Sequence, residues 1–219
     1  LTGEKPLRDG VLLAIVWALQ IFSGHTQTVF MSGVGLGLYG LIVGVMGWRE
    51  TRNILKIRRA IILLGVCARV GVALSIPQLL PTMELTGMSY RGGGFTAQQA
   101  TAFSLSPNTI GRALLPSHDR QLFGEYVTYI GIIGLGLALW GMVVRPFNGI
   151  TQRTKLAWIV IAIIGLLLAF GRYNLLYLLL AELPGFNLFR VPARWLSLFS
   201  IGMAILGGLG VDALVAGKR

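Results

Sequence analysis

Two arginines four residues apart, Arg190 and Arg194, stand in Phe189-Arg190-Val191-Pro192-Ala193-Arg194-Trp195 at the head of the last long apolar stretch. A spacing of four lets two side chains of one helix point the same way, and a proline suits a helix's first turn. Guanidinium is a planar fork of N–H donors that matches phosphate oxygens two at a time. The pair therefore reads as a clamp for a lipid-linked phosphate or pyrophosphate, with anchoring to ordinary lipid head groups as the plainer alternative. Carboxylates are few. Glu84, Asp119 and Glu125 fall in a mixed polar stretch over 81–125, and Glu182 in a second over 172–194. Each is a weak candidate for a general base or a metal ligand, and each has a structural alternative as partner to Arg91, Arg112 or Arg120. No spacing forms a recognised metal cluster, so no metal site and no cofactor is expected, although a divalent ion stays open. His25 follows Gly24 in a short polar turn, where it could shuttle a proton, bind a ligand or simply hydrogen-bond the turn. His118 has no serine or cysteine at a telling distance, which leaves nucleophilic catalysis without support. The single cysteine, Cys67, reads as a small packing residue.

The elements that must carry these groups follow from composition. The chain has 219 residues, 54% of them hydrophobic and only 12% charged, against about 25% charged in ordinary soluble domains. The 19 basic and 8 acidic residues give +11, but the chain is too apolar for a nucleic-acid binder, whose basic surplus comes on a polar surface. It is too apolar for a disordered chain as well, and one cysteine rules out a disulfide scaffold. A polytopic membrane protein is what remains. Residues 10–48 hold no charge, and one helix of that length would run about 58 Å, nearly twice the hydrocarbon thickness. The polar break Ser23-Gly24-His25-Thr26-Gln27-Thr28 folds it into two spans, 10–23 and 29–48. Further spans are expected at 60–80, 126–144, 156–171 and 195–216. The fold class is thus an all-α transmembrane helix bundle of about six spans, with one long external loop (81–125) and a short re-entrant or interfacial helix within 172–194. The apolar run Leu175 to Leu180 is too short to span.

Lys5, Arg8, Arg49, Arg52, Lys56, Arg58, Arg59, Arg145, Arg153, Lys155, Lys218 and Arg219 all fall on one side of such a bundle. The positive-inside rule then places both ends of the segment in the cytoplasm. Trp48, Trp140, Trp158 and Trp195 lie near span ends, where amphipathic rings favour the interface. Arg69, inside the third span, reads either as a functional intramembrane charge partnered by Asp212 or as a snorkelling side chain. Gly33-Val34-Gly35-Leu36-Gly37 and Gly207-Gly208-Leu209-Gly210 lie in spans and read as close-packing positions rather than phosphate loops. Phe95, Phe103, Leu105, Leu114, Leu115 and Phe123 argue that the long loop packs rather than floats. No repeat or linker is visible, so a single membrane domain over 1–219 is expected, and the abrupt ends read as those of a segment of a longer chain.

Several of these stretches together resemble the bacterial YfhO family of integral membrane proteins. Ser23-Gly24-His25-Thr26-Gln27 resembles its Gly-His-x-Gln turn, and Pro77-Gln78-Leu79-Leu80-Pro81-Thr82-Met83-Glu84-Leu85 with Ser89-Tyr90-Arg91 its "QLLPTxEL…SxR" segment. Gly124-Glu125-Tyr126-Val127-Thr128-Tyr129-Ile130-Gly131 resembles "EYxGYxG", with Thr128 where glycine is usual. Gly171-Arg172-Tyr173-Asn174, Leu183-Pro184-Gly185-Phe186 and Phe189–Arg194 resemble its "G…lPgFxxFRxPxR" region. The family is similar to GT-C-type glycosyltransferases, which use a polyprenyl-phosphate-linked sugar on the external face. The resemblance implies a polyprenyl-phosphate sugar donor, a cell-envelope polymer as acceptor, the lipid bilayer and no nucleic acid as partners, and a multi-pass location in the bacterial plasma membrane. It makes Arg190 and Arg194 the first donor-phosphate candidates, with Arg172, Arg91, Tyr126 and His25 beside them. It also implies a catalytic acid in the first external loop. The turn 24–28 has no carboxylate, so that acid would lie outside this segment, and whether the chain is itself an enzyme stays open. A transporter or flippase of a lipid-linked or charged solute, suggested by Arg69 and Asp212 in the membrane and by glycine-interrupted spans that could form a midplane site, and a non-catalytic membrane subunit are the competing readings.

Overall fold

The computed structural model describes residues 6–52, 54–89, 92–115, 123–146 and 151–216. The described chain is all helical, and three of its helices are long and apolar enough to cross a membrane: Thr26–Glu50, Gln152–Ala169 and Pro192–Ala216. A fourth is present if Ile57–Leu74 and Ile76–Gly87, which meet at 76°, form one bent span. The chain divides into two compact units, 1–93 and 94–219.

In the first unit α1 (Pro6–Phe22) packs on α3 (Ile54–Leu74), with α2 (Thr26–Thr51) and α4 (Ile76–Met88) beside them. The turn expected after residue 22 is present. Gly24 takes φ +78°, a conformation open to glycine, and the next residue, His25, caps α2 through its ring nitrogen Nδ1, which accepts from the Thr28 backbone N–H. The expected span 60–80 is not one straight helix. Pro77 has no N–H to continue the hydrogen-bond ladder, and the buried Ser75 hydroxyl donates to the Gly71 carbonyl at 2.8 Å, so α3 stops and α4 starts afresh. Residues 81–88, expected as loop, belong to α4. The 17 residues of α1 rise only about 26 Å.

In the second unit α10 (Leu196–Ala216) is central, packing on both α7 (Ile132–Val143) and α8 (Gln152–Ala169), with short helices α5 (Ala97–Ala100), α6 (Ile110–Leu114) and α9 (Leu175–Leu180) around its N-terminal end. The packing surface is made of small residues. A Cβ on Gly141 would sit 1.9 Å from the Leu206 carbonyl oxygen, and one on Gly210 2.1 Å from that of Leu137, so α7 and α10 touch backbone to backbone. Gly165 and Gly202 do the same between α8 and α10, with added Cβ atoms 2.8 Å from Phe199 N and from Ala162 Cβ. Phe199, Met203, Leu206 and Leu209 fill the seams against Ala138 and Ala162, while Ile133, Val143 and Ile163 face outward. At the far end, buried Lys155 of α8 donates to the Met142 and Val144 carbonyls at 2.9 and 2.8 Å, capping the C-terminus of α7.

The expected span 126–144 is shorter than its apolar run. Residues 127–131 are extended: the Thr128 N–H donates to the Ala113 carbonyl at 3.0 Å, its hydroxyl pairs with that of Ser200, and Gly131 at φ +85° starts α7. Twelve residues then rise about 18 Å. Trp195, at the head of α10, does not present its ring at the protein surface. It is buried, stacked on Phe186 with centroids 5.7 Å apart and hydrogen-bonded to Tyr177, whose phenol burial pushes above its ordinary value.

Gly141→Ala should cost about 1–3 kcal/mol or more through forced separation of α7 and α10, whereas Gly136→Ala, with open space at its Cβ, should be neutral or slightly stabilising. Thermal unfolding of both variants in nanodiscs checks this, and equal midpoints would refute the close-packing account. For Tyr177 the folded-state pKa is the raised one, so its contribution to stability is whole below about pH 10 and falls as pH rises through the folded value. Tyr177→Phe should therefore lose less stability than the wild type as pH rises past about 10 when unfolding midpoints are compared.

Candidate functional site

The polar groups of the second unit converge where the 3₁₀ turn Gly124–Tyr126 packs against the turn Pro192–Trp195 that opens α10. Glu125 and Arg194 form a two-point pair: Nη2 donates to Oε1 at 2.6 Å, and Nε donates to Oε2. Both side chains are about 30% exposed, so the pair is open to a ligand yet shielded enough for the fork geometry to matter.

Tyr126 lies next to Glu125 in the chain, and its phenol is pushed above its ordinary value, first by burial, with the Arg172 guanidinium pulling it back and Tyr173 adding to the rise. Tyr126 is thus a neutral hydroxyl donor beside a cation. Arg172 is exposed, and its backbone N–H donates to the Ser104 hydroxyl at 2.9 Å. Gly171 before it, at φ +47°, has room for nothing larger, since a Cβ would lie 2.1 Å from Ser104 Oγ. Phe103 and Phe123 stack with centroids 5.1 Å apart, and Phe123 meets Tyr126 edge-on at 5.3 Å. Both phenylalanines are exposed.

Strain collects around this cluster. Phe103 at φ +58° and buried Val191 at φ +66° are the described non-glycine residues of the second unit with positive φ. A β-branched or bulky side chain in that region costs about 1–3 kcal/mol and persists only where the surroundings over-determine it. Here Val191 N–H donates to the Ala102 carbonyl at 3.2 Å and Leu105 N–H to that of Ala169 at 2.9 Å, lacing 102–105 between the end of α8 and the head of α10.

The sequence candidates fare unequally. Glu125, Arg194, Arg172 and Tyr126 come together. Arg190 does not share a helix face with Arg194, contrary to the i, i+4 expectation. The helical turn begins at Pro192, because a residue before proline is disfavoured in the right-handed helical region, and Arg190 lies exposed upstream of it. Glu84 is exposed on α4, and His25 caps α2, its Nδ1 lying 2.8 Å from the Thr28 hydroxyl, both in the first unit. Arg69 is on α3 of the first unit and Asp212 on α10 of the second. Arg91 and Asp119, with His118 and Arg120, lie outside the described residues. Among the described residues no group of three His, Cys, Asp or Glu is placed to hold a metal.

Sequence reasoning did not pair Glu125 with Arg194, which are 69 positions apart, and missed Ser104, Tyr173 and the ring faces of Phe103 and Phe123 as parts of the site. Leu105 and Phe95 are buried as expected of a packing loop, whereas Phe103, Leu115 and Phe123 are exposed. No protein-family model, curated protein or solved structure matches this chain.

A double-mutant cycle on Glu125→Gln and Arg194→Lys should give a coupling of about 1 kcal/mol, modest because a third of each side chain is solvated. Strictly additive effects on chemical or thermal unfolding would mean that the pair is not formed in solution.

Proposed function

We propose that the chain is a glycosyltransferase-like membrane protein that acts on polyprenyl-phosphate-linked sugars in the modification of a cell-envelope glycopolymer. The observation that carries this reading is the Glu125–Arg194 fork at the head of a helix long and apolar enough to cross a membrane, with Arg172 and Tyr126 beside it. In this reading α1, α7 and the α3–α4 pair also span, giving about six spans with both ends cytoplasmic, and the connection from the end of α4 to residue 125 and the segment 172–194 lie on the external side. Arg194, held in register by Glu125, and Arg172 neutralise the phosphate of the lipid-linked donor. Tyr126 donates a hydrogen bond to it, and Phe103 and Phe123 offer apolar faces against which a sugar ring can stack.

The chemistry required is displacement at the anomeric carbon. An acceptor hydroxyl forms the new C–O bond, the bond to the phosphate oxygen breaks, and the lipid phosphate leaves with the electron pair. Arginines matter most at that last stage, because charge on the departing phosphate grows as the bond breaks. Glu125 is a positioning residue here. The carboxylate that takes the acceptor's proton as general base is expected in a first external loop other than the turn 24–28, as the resemblance to the YfhO family implies.

The test is sugar transfer from a polyprenyl-phosphate donor by the complete gene product in membranes. Arg194→Lys keeps the charge and loses the fork. Since one charge-assisted hydrogen bond contributes about 1.5–3 kcal/mol, transfer should fall about 10- to 100-fold, while folding stability drops by no more than the coupling of about 1 kcal/mol to Glu125. Undiminished transfer would sink the clamp, and counterflow of labelled lipid-linked sugar without covalent product would replace the enzyme reading with transport.

A further inference from the structure

The six-residue helix α9 wears its hydrophobicity outward. Tyr177 and Ala181, four apart, face in and are 1% and 2% exposed, while Leu175, Leu176 and Leu179 are 73%, 51% and 64% exposed. Leu183 continues that outward stripe one turn further on. The helix is also held firmly in that orientation. Asn174 caps it by accepting from the Leu176 N–H at 3.0 Å and donates through Nδ2 to the Leu167 carbonyl of α8 at 2.8 Å. Beneath it, Tyr177 meets Phe186 edge-on and Phe186 stacks on Trp195. A leucine face fixed toward the outside by an aromatic bed is costly in water, and contiguous apolar surface of this kind marks an interaction site.

What covers it follows from what it adjoins. Leu167, whose carbonyl anchors Asn174, is itself an exposed apolar residue on α8, and Ile163 one turn earlier is another. Both belong to a helix long and apolar enough to cross a membrane, and α9 lies in the connection between that helix and the next such one. The leucine face is therefore continuous with lipid-facing surface. We propose that α9 is a monotopic wedge: Leu175, Leu176, Leu179 and Leu183 insert into one leaflet of the bilayer at the boundary of acyl chains and head groups, with the exposed carboxylate of Glu182 turned to the head groups and water. Six residues rise about 9 Å, which fits a helix lying within a leaflet and not one crossing it. The inference stands apart from the glycosyltransferase reading, since it rests on none of the groups assigned to phosphate or sugar.

The experiment is site-directed spin labelling of the full chain in phosphatidylcholine–phosphatidylglycerol nanodiscs. In a Cys67→Ser background, single cysteines replace Leu176, Leu179, Glu182 and, as a lipid-facing reference, Ile163. Labels at 176 and 179 should collide with oxygen several-fold more often than with a water-soluble nickel chelate, as at 163, and the label at 182 should show the reverse preference. Nickel access at 176 and 179 equal to that at 182 would overturn the proposal by placing the face in water. Low access to both reagents would overturn it by showing that a protein covers the face. Should either leucine variant fail to fold, Leu175→Cys reads the same stripe.

Discussion

The second unit depends on backbone touching backbone along α10. Gly141 and Gly210 on one seam, and Gly165 and Gly202 on the other, remove the side-chain layer that would hold α7 and α8 a further few ångströms away. In a medium as apolar as the side chains themselves, burial of hydrocarbon gives little drive for helices to associate, and close van der Waals approach takes its place. The composition agrees with this. The seams are Gly and Ala with a few large residues between them, and many of the branched aliphatic side chains are turned outward, the reverse of a water-soluble core. Everything at the head of α10 inherits its position from these contacts, including the Pro192–Trp195 turn and its arginine.

Two further constraints convert that scaffold into a defined site. The lacing of 102–105 onto Val191 and Ala169 pins the loop against the helix ends, and two side chains are held at positive φ in the process. Such conformations persist only where the surroundings over-determine them, so Phe103 and Val191 are held by the contacts around them, next to Phe123, Tyr126, Glu125 and Arg194. Thr128 contributes from the other side: its backbone and hydroxyl tie the extended stretch before α7 to Ala113 and to Ser200 on α10.

Much of the helix inventory was legible in the sequence and little of the site was. The turn at 23–28 announced itself by a glycine and polar residues in an apolar run, and α8 and α10 by uninterrupted hydrophobic length. The break at Ser75 was hidden because Ile76, Leu79 and Leu80 prolong the apolar pattern across it, although Pro77 was the available signal. Residues 127–131 misled for a related reason: their aliphatic and aromatic composition suits a span and an extended strip equally. Arg190 and Arg194 illustrate a different failure. Their spacing matched a helix, but Pro192 between them sets the helix start after Val191. The Glu125–Arg194 pair carries no local signature at all, since the chain must close a long excursion before the two meet, and periodicity is silent on such contacts.

Lys155 has an architectural meaning beyond its two hydrogen bonds. Helices α7 and α8 both lean on α10, and the ammonium of one reaches across to the terminal carbonyls of the other. The covalent link between them is thereby made redundant as a fastener: the clasp is non-covalent and sits inside the fold. The register of the end of α7 against the start of α8 is thus set by a buried side chain as well as by the chain that joins them.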